Sequence, residues 1–510
     1  MTSPHPQPNA EPQPSPLLTS PADLYYETYE LTEDILGYAP GGYHPVVIGD
    51  IISSSSSRDD PSKVDVESES KSKEPRRYRI MHKLGWGAYA TVWLAERLRR
   101  GDDGVEAHAG WVALKINVAV GEHWPDRPVD YESAMLRAVQ APFRSKNFED
   151  SESNVVKLED AFTIHGPNGT HEVLVCEVVV PMGELLRYER SPGWKKAAAR
   201  GLVRGVAQMH RAGVVHGDLH IGNIALSFPP LSSPSPSPAL DPEDVLTSLP
   251  HHEMTLVLPR LPMAPHRAAS LPPYVVAPVS FVAHYNYDAA WRAERGEEEG
   301  EGEGEVRIVD FGTAHYAGTL PSHFVCSKQS ISPEAVFALR MQKIDNPPVE
   351  PPADIWGLGT AIYQIVAGYA LFDDVDIPSL PFYMLQMAGR SPSLLPPYWA
   401  AWLPRAGYPI DVSEESAERW WAERRENLRG GCRDDEDAEA LVRLLRRVLV
   451  LEPGERPSAE EVLEDEWFKM GEGEVGLGER RRRVGSAGAG PDMWFRHKLY
   501  GTSWQTSFAS

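Results

Sequence analysis

Asp218 and Asn223 stand five positions apart in the run Val214-Val215-His216-Gly217-Asp218-Leu219-His220-Ile221-Gly222-Asn223, on a turn entered from a β-branched stretch. A carboxylate and an amide at this spacing suit phosphoryl transfer, in which the acid orients an acceptor hydroxyl and the amide oxygen helps hold a magnesium ion. Other residues supply what such a reaction needs. Lys115, in the strand pattern Val112-Ala113-Leu114-Lys115, can present one cation to phosphates, although a lone strand lysine is more often a solvated surface residue. Glu132 is the acid expected to hold it, with Asp130 as the competitor. Asp310, at the end of a strand in Val309-Asp310-Phe311-Gly312, is the second expected magnesium ligand. The segment Leu84-Gly85-Trp86-Gly87-Ala88-Tyr89-Ala90-Thr91-Val92 is a glycine-rich turn between two strands, where missing side chains let backbone N–H groups approach a phosphate. Ala90 fills the third glycine position, and a turn of this kind is often only a tight hairpin.

These residues need a scaffold, and the apolar periodicity supplies one. Strand signals fall at Tyr78–Leu84, Ala90–Ala95, Gly110–Asn117, Val155–Ile164 and His171–Val178, with one helical pattern, Tyr131–Val139, among them. Beyond them the pattern is mostly helical, at Trp194–Ala212, Ala353–Gly368 and Asp435–Val450. The expected fold is α+β and bilobal, a small antiparallel sheet with one main helix beside a large, mostly helical lobe. The expected divisions are a disordered tail at 1–40, an approach segment with a serine and acidic stretch at 41–77, the small lobe and hinge at 78–180, the first part of the large lobe at 181–227, a disordered insert at 228–305, the second part of the large lobe at 306–470, and a tail at 471–510. The insert opens on Pro-Ser repeats and closes on the acidic run 297–305, which reads as solvated chain.

Composition narrows the class further. A chain of 510 residues with 42% hydrophobic content can bury a large core. Its three scattered cysteines, Cys176, Cys326 and Cys432, argue against a disulfide framework and a metal cluster. The N-terminus has neither a basic nor an apolar signal region, and the longest apolar stretch, Trp356–Phe372, carries Thr360, Tyr363 and Gln364 and reads as a buried helix. A net charge of −23 argues against nucleic-acid binding, which needs basic surface. It suits a basic partner or, more blandly, solubility. The expectation is a soluble, monomeric, intracellular protein without direct nucleic-acid or membrane contact.

The order of the signals points to a protein-kinase fold: glycine loop, strand lysine, helix glutamate, Asp218 with Asn223, Asp310-Phe311-Gly312, Ser332-Pro333-Glu334, Asp354-Ile355-Trp356-Gly357-Leu358-Gly359 and Glu455-Arg456-Pro457. Glu334 and Arg456 are then the expected buried ion pair behind the segment that follows Gly312.

Several blocks are more specific. Gly41-Gly42-Tyr43-His44-Pro45-Val46-Val47-Ile48-Gly49-Asp50, His82-Lys83-Leu84-Gly85-Trp86-Gly87, Thr91-Val92-Trp93-Leu94, Gly166-Pro167-Asn168-Gly169-Thr170-His171 and Ser327-Lys328-Gln329-Ser330-Ile331-Ser332 resemble segments of the SR-protein kinases, which phosphorylate arginine/serine-rich splicing factors. The insert between Asn223 and Asp310 also sits where that family carries its spacer. The resemblance covers roughly residues 40–226 and 306–470. It implies a serine/threonine kinase using Mg-ATP on an Arg/Ser-rich protein, in the cytoplasm and nucleus. By register it makes Cys176 the gatekeeper, with the backbone of Glu177 and Val179 meeting adenine and Ala113 lining the nucleotide site. It also puts the Ser327 hydroxyl at the catalytic aspartate, while Ser330 stands where the family has tyrosine.

Two departures bear on activity. Gly217 removes the arginine that many kinases pair with a phosphorylated activation loop, a trait the SR-protein kinases share, so activity without loop phosphorylation is expected. His220 replaces a lysine near the γ-phosphate, and an imidazole that is mostly neutral near pH 7 supplies less charge. The HGDLHIGN loop also looks like that of small-molecule kinases, which work without this lysine. A pseudokinase scaffold is the alternative to an active enzyme. In the large lobe Glu414, Glu415, Glu418 and Asp434-Asp435-Glu436-Asp437 suit either a docking surface for arginine-rich chain or a solvated face, and Arg480–Arg483 suit a nuclear address or a tail.

Overall fold

A computed structural model describes residues 24–25, 32–54, 75–100, 104, 106–120, 127–141, 153–228, 231, 242–259, 265–294, 305–373, 375–390, 395–405 and 410–470. Residues 55–74, residues 295–304 with all of the acidic run but Glu305, and the C-terminal tail with Arg480–Arg483 lie outside them.

The small lobe is built on a six-stranded antiparallel sheet in the spatial order Ile51–Ser53, Arg77–Gly87, Ala90–Arg100, Glu106–Asn117, Gly169–Cys176, Leu158–Gly166. Alternation along each strand sorts its two faces. Ile80, Trp93, Val112, Leu114, Ile116, Val173 and Val175 fill a cluster on the outer face, so Lys115, between Leu114 and Ile116, turns toward the cleft. Helix Tyr131–Gln140 packs on the cleft face, burying Met135, Leu136 and Val139 in the core that continues into the large lobe.

The large lobe is helical, as expected. Helix Pro192–Arg211 starts cleanly because Ser191 caps it, accepting from the Trp194 N–H, with proline at the first helical position. It packs on the apolar helix Pro351–Ala367, which ends where Gly368 takes a left-handed φ of 88°. Helix Asp435–Val448 carries its apolar stripe through Leu441, Leu444, Leu445 and Val448 into the same core. Among the described residues no helix is long and apolar enough to cross a membrane.

Two expected boundaries are corrected. The tail drawn through residue 40 already contributes to the folded body: Ile35 and Tyr38 are buried, Glu33 makes a buried ion pair, and Leu24–Tyr25 pairs with Leu258–Pro259. The insert is also largely built. Strand Met254–Leu256 pairs with Tyr274–Val276, and the insert also forms helices Pro242–Thr247, Pro265–Ser270 and Val282–Glu294. Its apolar pieces are short and broken by proline, so they show no period, yet they find partners far along the chain. Val257 and Val275 join Ile35, Tyr38, Tyr43 and Val118, while Phe281 stacks on Phe228 with centroids 5.2 Å apart. The Val279 N–H donates to Lys83 O at 2.8 Å, and the Trp194 indole N–H reaches the Tyr285 hydroxyl at 3.3 Å. The insert therefore touches both lobes.

Candidate active site

Lys115 Nζ lies 2.7 Å from Glu132 Oε1 and 2.7 Å from Asp310 Oδ1. Glu132 is almost fully buried and earns its position through three bonds, since it also accepts from Asn117 Nδ2 at 3.0 Å and from the Phe311 N–H at 3.1 Å. Asp130, the competitor, instead sits at the N-cap position of that helix. Asp310 holds a φ of 62°, a left-handed backbone that costs a non-glycine residue on the order of 1–3 kcal/mol. The conformation aims its carboxylate at Lys115. Desolvation in the cleft would raise this carboxyl, but the Lys115 ammonium outweighs it and holds Asp310 down to about 2; the two acids in turn hold the Lys115 ammonium above its ordinary range.

The loop bearing Asp218 hangs from one buried carboxylate. Asp354, at the start of the apolar helix, accepts from the His216 N–H at 2.8 Å, the Gly217 N–H at 3.0 Å and His210 Nε2 at 3.0 Å. Burial would raise Asp354, but these donors, His210 foremost, hold it below the usual carboxylate value. Gly217 has φ 79°, so this position needs glycine for backbone reasons as well as lacking an arginine. His216 Nε2 donates to Val309 O at 3.0 Å, Nδ1 receives the Asp218 N–H at 3.3 Å, and Asn223 Nδ2 donates to Asp218 O at 2.9 Å. With its Nδ2 committed to the loop, Asn223 offers Oδ1 as a hard oxygen donor, and Asp310 offers a deprotonated carboxylate. This donor set fits magnesium, which is commonly held by one or two such groups together with phosphate oxygens and water.

Ser327 corrects an expectation. Its main-chain N–H, not its hydroxyl, reaches Asp218 Oδ1, at 2.9 Å, while the hydroxyl oxygen receives the Gln329 N–H at 3.4 Å. Ser330 is buried, and its hydroxyl donates to Ser327 O at 3.4 Å.

His220 is more than a missing lysine. Its Nδ1 caps the short turn Ile221–Asn223 by accepting the Gly222 N–H at 3.0 Å, and Nε2 faces Asp218 Oδ2 at 3.6 Å. Burial would lower its pKa, but the hydrogen bond and charge of Asp218, with Asp310 beyond, outweigh burial and raise it above the ordinary 6.5. The Gly222 cap uses the Nδ1 lone pair, so the capped ring is the Nε2–H tautomer facing Asp218, and taking up a second proton exchanges the cap for a charged pair with Asp218. A folded ring that keeps its proton to higher pH than the unfolded one contributes stability fully below about 6.5, and loses it as pH rises through the raised folded value. The melting-temperature gap between the wild type and His220→Gln is thus expected to widen from about pH 8 to about pH 6, and a gap independent of pH removes the charged pair.

The glycine-rich hairpin pairs Gly85 with Val92, Trp86 with Thr91 and Gly87 with Ala90, and turns at Ala88 and Tyr89. Leu84 packs on the main core, whereas Thr91 is buried and accepts from the Trp93 indole at 3.0 Å, so its side chain belongs to the packing and not to a nucleotide face. Tyr89 sets its ring against His323, with centroids 5.5 Å apart. Cys176 pairs with Ala113 in the neighbouring strand, at the rim of the cleft. The Glu177 N–H is donated to Lys157 O at 3.2 Å, and its side chain binds Arg307 Nε at 2.8 Å. Val179 opens a strand paired with Ser227.

Glu334 and Arg456 form the expected pair, bidentate at 2.9 and 2.7 Å. The acids proposed for docking are mostly engaged within the chain: Glu415 with Arg419, Glu418 with Arg446, Asp435 with Arg429, and buried Asp437 with Lys196. Asp434 caps its helix by accepting the Asp437 N–H. Sequence reasoning named Asp354 only as part of a motif and not as the anchor of this loop, and it missed Asn117 and the cap made by His220.

A strand lysine bound to a helix acid, an acid held by that lysine, and a suspended loop carrying Asp218 between two lobes define the protein-kinase fold and its cleft. A protein kinase domain model matches residues 298–468. Human SRSF protein kinase 3 is 29% identical over 205 residues, which cover 39% of this chain and 30% of that protein. The Saccharomyces cerevisiae serine/threonine-protein kinase SKY1 is 29% identical over 205 residues, 38% of this chain and 23% of that one, and the Physarum polycephalum serine/threonine-protein kinase SRPK is 31% identical over 213 residues, 40% of each. The match thus spans well under half the length of these relatives. Over these segments the chain is similar to SR-protein kinases.

Proposed function

We propose that the chain transfers the γ-phosphate of Mg-ATP to serine in an Arg/Ser-rich protein. The observation that supports this best is Lys115 held at 2.7 Å by both Glu132 and Asp310. That arrangement preplaces one cation for the α- and β-phosphates and one carboxylate for magnesium. Magnesium, when bound by Asn223 and Asp310, neutralises charge on the transferring phosphate. Asp218, its carboxylate steered by the Ser327 N–H and by His220, orients the acceptor hydroxyl and takes its proton. Gly85 and Gly87 let the hairpin close over the phosphates, with Leu84, Val92 and Ala113 against the base and the carbonyl of Glu177 and the backbone of Val179 at its edge. His220 lends partial positive charge on the γ-phosphate side. Most of the rate comes from positioning and charge stabilisation.

The substrate class rests on the family likeness and on the chain's net charge of −23, which favours a basic partner. Monomeric state and residence in the cytoplasm and nucleus go with the same reading. The test is a Mg-ATP thermal-shift titration paired with radiolabel transfer to an Arg/Ser peptide, run on the wild type and on His220→Lys. Nucleotide-dependent stabilisation with label on the peptide is expected. Stabilisation without transfer by either protein would instead leave a nucleotide-binding scaffold.

A further inference from the structure

The glycine-rich hairpin is gripped at both ends by a segment that precedes it by some forty residues. At its base Lys83, wholly buried, forms an ion pair with Glu33, itself buried and accepting from the Tyr38 hydroxyl. At its tip the Tyr43 hydroxyl donates to Gly87 O at 2.8 Å. The segment carrying Tyr43 is in turn fixed to the rigid sheet. Gly42 O receives the Ala119 N–H at 3.0 Å, just beyond the strand that carries Lys115. Asn168 Nδ2 donates to Tyr43 O at 2.7 Å, and the Gly41 N–H returns to Asn168 O at 2.8 Å. The turn is tight enough that a Cβ on Gly42 would lie 1.9 Å from Gly37 O, so no side chain fits there.

A glycine-rich hairpin has few side chains to hold its tip, and ordering it over a ligand costs conformational entropy. Here that ordering is met in advance by a bond from outside the hairpin. We infer that Tyr43 is a positioning residue for the nucleotide: its bond to Gly87 O holds the hairpin tip at the height the phosphates require, and Glu33 with Lys83 fixes the base about which the tip would swing. The inference rests on the reading of the cleft as an ATP site. Tyr78 supplies the internal comparison, because its hydroxyl belongs to a ring just as buried, in the strand that leads into the hairpin, yet bonds to Asp160 at 3.2 Å and not to the hairpin or to Glu33.

The experiment compares full-length wild type, Tyr43→Phe and Tyr78→Phe by displacement of a fluorescent ADP analogue with magnesium present, by steady-state kinetics on an Arg/Ser peptide, and by melting temperature. Tyr43→Phe is expected to weaken nucleotide binding and raise KM for ATP about fivefold, the factor one neutral hydrogen bond is worth, with the effect on KM and not on kcat. Tyr78→Phe is expected to lower the melting temperature without moving KM for ATP. Binding by Tyr43→Phe within about twofold of wild type, or an equal rise in KM for both variants, would overturn the assignment. Absence of nucleotide binding in the wild type itself would overturn the ATP-site reading, and the inference with it.

Discussion

Asp218→Asn is expected to slow phosphoryl transfer by about 10²–10⁴-fold while nucleotide binding survives. Asparagine keeps the shape and an acceptor oxygen for the Ser327 N–H, which now lies 2.9 Å from Asp218 Oδ1, so the loop stays in place. The bonds that suspend the loop run through Asp354, His216 and the Asp218 main chain, and none uses the Asp218 carboxylate. What disappears is the negative charge that orients and accepts from the hydroxyl, together with the partner that raises the His220 pKa. Loss of transfer with an unchanged nucleotide Kd therefore isolates chemistry from binding. Single-turnover transfer by the variant at the wild-type rate would remove Asp218 from its role.

How far the sequence disclosed this site depends on the range of the signal. Lys115 was legible because strand alternation between Leu114 and Ile116 points it away from the outer cluster, and Glu132 because the small lobe offers one main helix to answer it. Motif order made the Glu334–Arg456 pair legible across 122 positions. Contacts made by the main chain left no trace: a serine at 327 suggests its hydroxyl, whereas the bond to Asp218 comes from an N–H that any residue but proline would supply. Val257, Val275 and Phe281 were unreadable for another reason. Each lies in a piece too short for periodicity, and its burial depends on partners such as Tyr38 and Phe228 far along the chain. The Glu33–Lys83 pair shares that difficulty, since each charge alone reads as a solvated residue. His220 shows a third limit. Comparison with a lysine frames it as lost charge, while its Nδ1 performs a capping task that lysine cannot, having no acceptor.

Arg456→Met is expected to destabilise the large lobe by about 3–5 kcal/mol, because it breaks a buried charge pair from the side that holds most of its bonds. The guanidinium is fully buried; besides gripping both oxygens of Glu334 it donates to Pro352 O at 2.7 Å, Val450 O at 2.8 Å and Leu451 O at 3.3 Å. It also lies over the Trp356 ring, 5.4 Å from the centroid, and so ties the apolar helix to the segment after Gly312. Methionine fills much of the stem volume but leaves three carbonyls and a carboxylate without this donor, and the carboxylate is only a quarter exposed. Glu334→Gln is the gentler change, since the amide oxygen still accepts one N–H and the arginine keeps its three carbonyl partners. The melting temperature is expected to fall on the order of 10 °C for Arg456→Met and by clearly less for Glu334→Gln, at the ~2–4 °C per kcal/mol usual for a lobe of this size. Because Asp354 and Pro352 share the first turn of one helix, transfer should fall in Arg456→Met even well below its melting point, as the loop that carries Asp218 loses its fixed anchor. Equal melting of both variants would mean that the carboxylate and not the arginine network holds the lobe together.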